Sequence, residues 1–464
     1  MEPAGDHQDD LQVAVVMVAF PCQSHLNQLL QLSTMIASYG LQIHFVGSAT
    51  HNRQAKLRSN GLKPNSRIQF HDLPTPPIAA LDPDPNASDK LPFHLYPAVQ
   101  AYANLRKPVL GLVEELSLKT RRVVIIYDRL MFEAVGDAVS VHSVEAYAFN
   151  CLSAFTLFFV RWETMGKPFV VEGPLKDPPP ATELMPEEVL QLLASRSFKE
   201  RAGEIHNTSR SIDGTYIDLL SREEISGSSK QQWAIRPTFL QADSTANNDR
   251  KPRHKCLEWL DKQAPGSVIY VSFGTTTSFT NEEAREIAIG LEQSKQKFIL
   301  VLRDADKADI FAAKDRKIEL SEGFEERVQE NGMVVRDWAP QLEILSHKST
   351  GGFMSHCGWN SCFESLLTGV PVAAWPMHSD QPLNALFLTR VLKTGLLVRE
   401  WAERKELVTA SVIKNVVERL MASEEGVEIR KSAEELSAAI KVSMDEGGEA
   451  GCPDMESFIS HITR

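Results

Sequence analysis

The sequence predicts an α/β protein of two Rossmann-like halves, each with a parallel sheet, facing one another across a cleft. Three observations predict it. Short β-branched runs alternate with longer helical patterns from the start, the grammar of βαβ units. That alternation pauses in a polar, aperiodic stretch, QADSTANNDRKPR at 241–253, and then begins again. The 464 residues are also too many for one ordinary core, so two domains of about 200 residues each are expected.

In the first half VAVVMVA (13–19) reads as a strand and HLNQLLQLSTMIASYG as a helix with leucines at helical spacing. LQIHFVG, RIQFHDL, RRVVIIYD (121–128) and VEAYAFN (144–150) supply further strands. SVIYVSFG (267–274) opens the second half, followed by TNEEAREIAIGLEQS, a helix whose Thr280 and Glu283 form a capping-box pair. KFILVLRD, GMVVRD, TGGFMSH and VPVAAW continue the series. The expected division is 1–245, 254–446 and a C-terminal segment, 447–464.

Charge and cysteines exclude several classes. The 61 acidic residues outnumber 49 basic ones, which argues against a nucleic-acid or anionic-membrane surface. Six scattered cysteines show no CxxC pair and no zinc-type spacing, so free thiols in a reducing compartment are expected. No apolar run reaches the length of a membrane span, and the charge order around VAVVMVA is wrong for a secretion signal. A cytoplasmic protein is expected, with the N-x-S/T matches at Asn86 and Asn207 left unused.

The chemistry concentrates in HCGWNSCFESLLTGVPVAAWPMHSDQP, residues 356–382. In an open α/β sheet the ligand lies beyond the carboxyl ends of the strands, where loops lead into helix N-termini. FMSH ends a strand, CG turns, and WNSCFESLLTG makes a helix closed by Gly369. Free amides around Asn360 and Ser361 then suit a diphosphate, with His356 able to donate to it. The bland alternative is that Ser361 and Glu364 form only a capping box.

From Trp338 to Gln381, 44 residues beginning WAPQLEIL and ending HSDQ, the chain resembles the signature of plant UDP-dependent glycosyltransferases of secondary metabolism. The resemblance implies the GT-B fold and, residue by residue, a donor site. Trp338 matches the indole that stacks on uracil, beside Ala339, and Gln341 the neighbour that helps read the base or ribose. Glu364 matches the acid that accepts from the ribose hydroxyls. His356, Asn360 and Ser361 match diphosphate contacts, and Trp359, Asp380 and Gln381 sugar contacts. SFGTTT (272–277) is similar to the family's loop in which Thr275 or Thr276 meets a phosphate. In this family a Gln at position 381 goes mainly with glucose, while xylose stays open. UDP-glucose is then a co-substrate, with no cofactor and no metal. Two D-x-D strings, Asp82 to Asp84 and Asp304 to Asp306, are read as solvated loop acids.

Transfer to a hydroxyl needs a base, and His suits neutral pH. FPCQSHLNQ places His25 where the first strand leads into the first helix, and the helix N-terminus should keep it neutral. It resembles the catalytic His of the family, with Ser24 where Gly is usual. Asp128 ends VVIIYD and matches the partner aspartate that orients such a His; its alternative is a helix N-cap. Direct displacement with inversion follows, giving a β-glycoside. HLNQLLQLS, LRDADKADIF and AWPMHSDQP resemble the zeatin O-glucosyltransferase branch, so a cytokinin hydroxyl is the favoured acceptor, with flavonoids, other phenolics or terpenoids as alternatives. The acceptor pocket is expected from Leu73–Asn86, Leu184–Leu193 and Asn150–Phe159, the last equally readable as core helix. An epimerase and a non-catalytic nucleotide-sugar binder are the rival classes; a dinucleotide dehydrogenase lacks its G-x-G-x-x-G. A monomer is expected.

Overall fold

The computed structural model describes residues 13–58, 65–79, 81–87, 90–171, 178–194, 201–226, 231–235, 253–311, 316–445 and 452–464. The linker read at 241–253 lies, but for Arg253, outside the described residues.

Two parallel sheets carry the two halves. The first contains β1 (Val13–Val18), β2 (Gln42–Gly47), β3 (Ile68–Asp72), β4 (Arg122–Asp128), β5 (Val144–Asn150), β6 (Arg201–His206) and β7 (Gln231–Ala234), in the order β3-β2-β1-β4-β5-β6-β7. The second contains β8 (Val268–Ser272), β9 (Lys297–Val301), β10 (Gly332–Val335), β11 (Thr350–Ser355), β12 (Val372–Ala374) and β13 (Gly395–Leu397), in the order β10-β9-β8-β11-β12-β13. Each order reverses at its first strand, between β1 and β4 and between β8 and β11. A crevice opens at such a point because the flanking loops diverge to opposite faces.

The central strands are buried on both sides: Val13 to Val18 and Val268 to Ser272 expose almost nothing. That is why they read as unbroken apolar runs rather than alternating ones. Thr280 caps the helix Asn281–Ser294, and its capping box with Glu283 forms as expected. Strands β6, β7 and β13 were not legible in the sequence. RAGEIH has few β-branched residues, and its Gly203 is needed because a Cβ there would lie 2.4 Å from the Trp233 ring.

The halves share an apolar contact in which Phe155, in the helix Ala154–Thr164, stacks on Phe387 at a centroid distance of 4.6 Å. Polar bonds extend this seam, with Ser153 and Thr156 both donating to Asn384 Oδ1. The final helix, Pro453–Thr463, inserts Met455, Phe458 and Ile462 into the core of the first half. Among the described residues no helix is long and apolar enough to cross a membrane.

Candidate active site

One cavity of about 1510 Å³ lies between the carboxyl ends of the two sheets, with walls from both halves. Every predicted catalytic and donor-site residue lines it: His25 and Asp128 on one side, and Thr275, Trp338, Ala339, Gln341, His356, Trp359, Asn360, Ser361, Glu364, Asp380 and Gln381 on the other.

His25 is the third residue of the helix Gln23–Ser38, reached directly from β1, and Asp128 is the last residue of the adjacent β4. Parallel pairing therefore brings two residues 103 apart in sequence to one sheet end, with His25 Nδ1 2.6 Å from Asp128 Oδ2. A carboxylate can only accept, so Nδ1 carries a proton, and in the neutral imidazole Nε2 is the nitrogen with the free lone pair. Asp128 also fills the role offered as its alternative: Oδ1 accepts the Leu130 N–H at 3.0 Å, capping the short helix that follows. Its two oxygens serve the two readings separately.

The lowering of the His25 pKa expected from its helix end does not prevail. Burial pulls its pKa down, but the Asp128 charge and hydrogen bond, helped by Asp380 across the cleft, outweigh it and raise the pKa above 6.5. A carboxylate in contact outweighs a half-charge spread over a helix end.

On the facing wall, β11 runs through a left-handed Cys357 into the helix Trp359–Thr368, which ends at a left-handed Gly369. Its N-cap is Gly358, not Ser361, and the capping-box alternative does not form. Ser361 Oγ and Glu364 Oε2 instead accept from Gln341 Nε2 at 2.9 and 2.8 Å. Burial pushes the Glu364 carboxyl up to about 7, the Gln341 bond opposing it. Such a carboxyl suits a diol that would replace the lost water. Trp338 stands at the rim with 47% of its surface exposed, leaving its face open.

His356 is buried, its Nδ1 has no protein partner, and burial holds its pKa down near 4. Its room depends on glycine: a Cβ at Gly274 or Gly358 would lie 2.5 or 2.6 Å from Nε2. The first of these also needs its positive φ of 74°, which explains SFG as the turn after β8. An unpaired buried ring nitrogen beside a helix N-terminus awaits a polar ligand.

Trp359 is almost wholly buried, with its indole N–H given to the Asn207 carbonyl of the first half at 2.7 Å. Its indole N–H is therefore already engaged and not offered to the cavity. Asn360 Nδ2 reaches the Ser24 carbonyl at 3.3 Å, next to His25. Asp380, pushed up to about 6 by burial, accepts from Asn384 Nδ2 at 2.7 Å. Gln381 Oε1 receives the Met377 and His378 amides at 2.9 and 3.1 Å. Its amide nitrogen is 3.3 Å from His378 Nε2, which is 3.1 Å from Thr276 Oγ1.

Asp304 and Asp306 are not solvated loop acids. Both are buried: Asp304 accepts from Ser278, and Asp306 pairs with Arg303 and with Arg58 of the first half. The main chain at Asp306 also accepts from His94 at 2.9 Å, so this loop joins the halves. Asp82 is exposed and pairs with Lys307. The acceptor wall is corrected too. None of the described residues of 73–86 lines the cavity, whereas Leu91–Val99 does through Phe93, Leu95 and Tyr96. Met185, Pro186, Glu188 and Val189 line it as expected. Asn150–Phe159 divides: Asn150, Cys151 and Leu152 face the cavity, and the helix beyond is core. Arg58 and Cys151 carried no sequence signal, while Arg303, just beyond β9, obeys the same strand-end rule as the signature residues. Among the described residues, one trio of metal-type donors lies within 4.8 Å, His25, Asp128 and Cys151, and hydrogen bonds already join all three.

Two facing Rossmann-like halves with a base on one wall and a nucleotide-diphosphate cradle on the other define a GT-B glycosyltransferase. The profile described as "Glycosyltransferase, N-terminal domain" matches residues 11–239, and that described as "UDP-glucoronosyl and UDP-glucosyl transferase" matches 229–424. The chain is 50% identical over 459 residues to a zeatin O-xylosyltransferase of Phaseolus vulgaris, covering 98% of this chain and 99% of that protein. It is equally 50% identical over 458 residues to a zeatin O-glucosyltransferase of Phaseolus lunatus, covering 98% of each. Among solved structures, a transferase from Siraitia grosvenorii in complex with UDP superposes with a TM-score of 0.76 at 26% identity, covering 98% of this chain and all of that one. The chain belongs to the plant UDP-dependent glycosyltransferase family.

Proposed function

We propose that this enzyme transfers glucose from UDP-glucose to the side-chain hydroxyl of a zeatin-type cytokinin, with inversion. The observation that carries the reading is the position of the His25–Asp128 pair opposite Asp380, Gln381 and the amide end of the helix at Trp359. His25 Nε2 takes the acceptor proton as the acceptor oxygen forms its bond to the anomeric carbon. The bond from that carbon to the phosphate oxygen breaks, and UDP leaves with the electron pair. Asp128 stabilises the imidazolium.

In this reading Trp338 stacks on uracil, Glu364 and Gln341 hold the ribose, and His356, Ser361, Thr275 and the first-turn amides hold the diphosphate. Asp380 and Gln381 hold the sugar. No cation is needed, because the helix end supplies positive potential and the neutral His356 ring a hydrogen-bond donor. Names of the bean relatives support the cytokinin acceptor, and the xylosyltransferase among them favours UDP-xylose as a second donor.

The test pairs UDP-glucose and UDP-xylose, each with zeatin, a flavonol and a terpenol, and reads product masses with and without EDTA. Zeatin glucoside formed equally in EDTA is expected. Zeatin left unchanged while another alcohol is glycosylated would replace the acceptor, and loss of transfer in EDTA would replace the metal-free mechanism.

A further inference from the structure

The catalytic pair does not stand alone. Cys151, in the loop beyond β5, donates its thiol to Asp128 Oδ2 at 3.1 Å, the same oxygen that receives His25. Asp128 is thus held by the Leu130 amide on one oxygen and by the imidazole and the thiol on the other, with 1% of its surface exposed. We propose that Cys151 is a positioning residue of this pair, whose S–H fixes the Asp128 carboxylate and moderates its pull on the His25 proton.

Two arguments support the role. First, the thiol stays a donor at any working pH: burial, then the neighbouring Asp128 charge, pushes it well above the ordinary thiol range. Second, a carboxylate oxygen shared between two donors holds each proton less tightly than one devoted to a single donor. The groups facing the pair are few: Asp128 and Cys151 from the ends of β4 and β5, Cys22 from the loop before the first helix, and Asp380 from across the cleft. Cys151 is the one protonated side chain among them that is bonded to Asp128 without itself taking the substrate proton.

The inference rests on His25 acting as base, so its test uses two readouts. Cys151→Ala and Cys151→Ser are each followed by the pH profile of kcat/KM and, without substrate, by NMR titration of the His25 imidazole, assigned with His25→Gln. Removing the donor in the alanine variant should raise the His25 midpoint by about half a pH unit in both. The serine hydroxyl, a stronger donor, should return it to the wild-type value or below. A cysteine that only fills space would lower the rate by one factor at every pH and leave both midpoints unmoved, which would overturn the proposal. A midpoint that moves by NMR but not in the rate profile supports the thiol's role on the pair and instead removes His25 as the base.

Discussion

The two walls of the cavity are built in opposite ways. The donor wall comes largely from one continuous stretch, Trp338 to Gln381, in which the segments beyond β10, β11 and β12 present three, five and two of the donor residues. The acceptor wall is assembled from pieces at residues 20–31, 91–99, 128–130, 150–152 and 185–193, joined only in three dimensions. Every donor of one class presents the same uridine diphosphate, so one constellation of amides, indole and carboxyl serves. Acceptors share little beyond a hydroxyl, and only His25 and Asp128 on that wall face a constant chemical demand.

That contrast can be broken by substitutions on either wall, and the largest effect belongs to the base. His25→Ala should cut kcat by a factor of about 100 to 10,000, while calorimetry with UDP shows nearly unchanged affinity; a matching loss of UDP binding would mean the walls are not separable. On the opposite wall, Trp338→Ala should weaken UDP by about 5- to 100-fold through lost base stacking and leave the pH profile in place.

Glu364 supplies a proton-linked test. Burial holds its carboxyl at about 7 against an ordinary 4.5, whereas ribose hydroxyls that donate to it favour the ionised form. UDP binding at pH 6 should therefore release a proton, detectable as a binding heat that varies with the ionisation enthalpy of the buffer. Affinity should fall as pH drops below about 7. The unliganded protein shows the reverse: stability present below 4.5 is given up as pH rises through about 7, since the buried group must ionise. Glu364→Gln should flatten both dependences. The smallest effect is expected from Arg58→Ala, which removes the partner of Asp306 from the other half and leaves it paired with Arg303. A partly exposed ion pair contributes little, so a rise of about two- to fivefold in the donor KM is expected with kcat kept.

Legibility followed the same division. The central strands could be read because both faces are buried, and the donor residues because each sits just past a strand in one segment. Leu73–Asn86 was misplaced because a Pro-rich loop signals irregular backbone but not its direction. For His25 the helix and the partner Asp128 were both read, whereas the upward pull of Asp380 was not, because it acts from the other half. Asp304 and Asp306 looked solvated because nothing near them in the chain announces Arg58, which arrives from the other half.

Trp359 and Asn360 open the helix Trp359–Thr368 and are both fastened to the opposite half, at the carbonyls of Asn207 and Ser24. Chimeras that join the acceptor half of one relative to the donor half of another must therefore keep Trp359 and Asn360 as donors and hold the main chain at Asn207 and Ser24 within their reach. Mismatched grafts would fold as two sound pieces and still present the sugar out of line with the attacking oxygen.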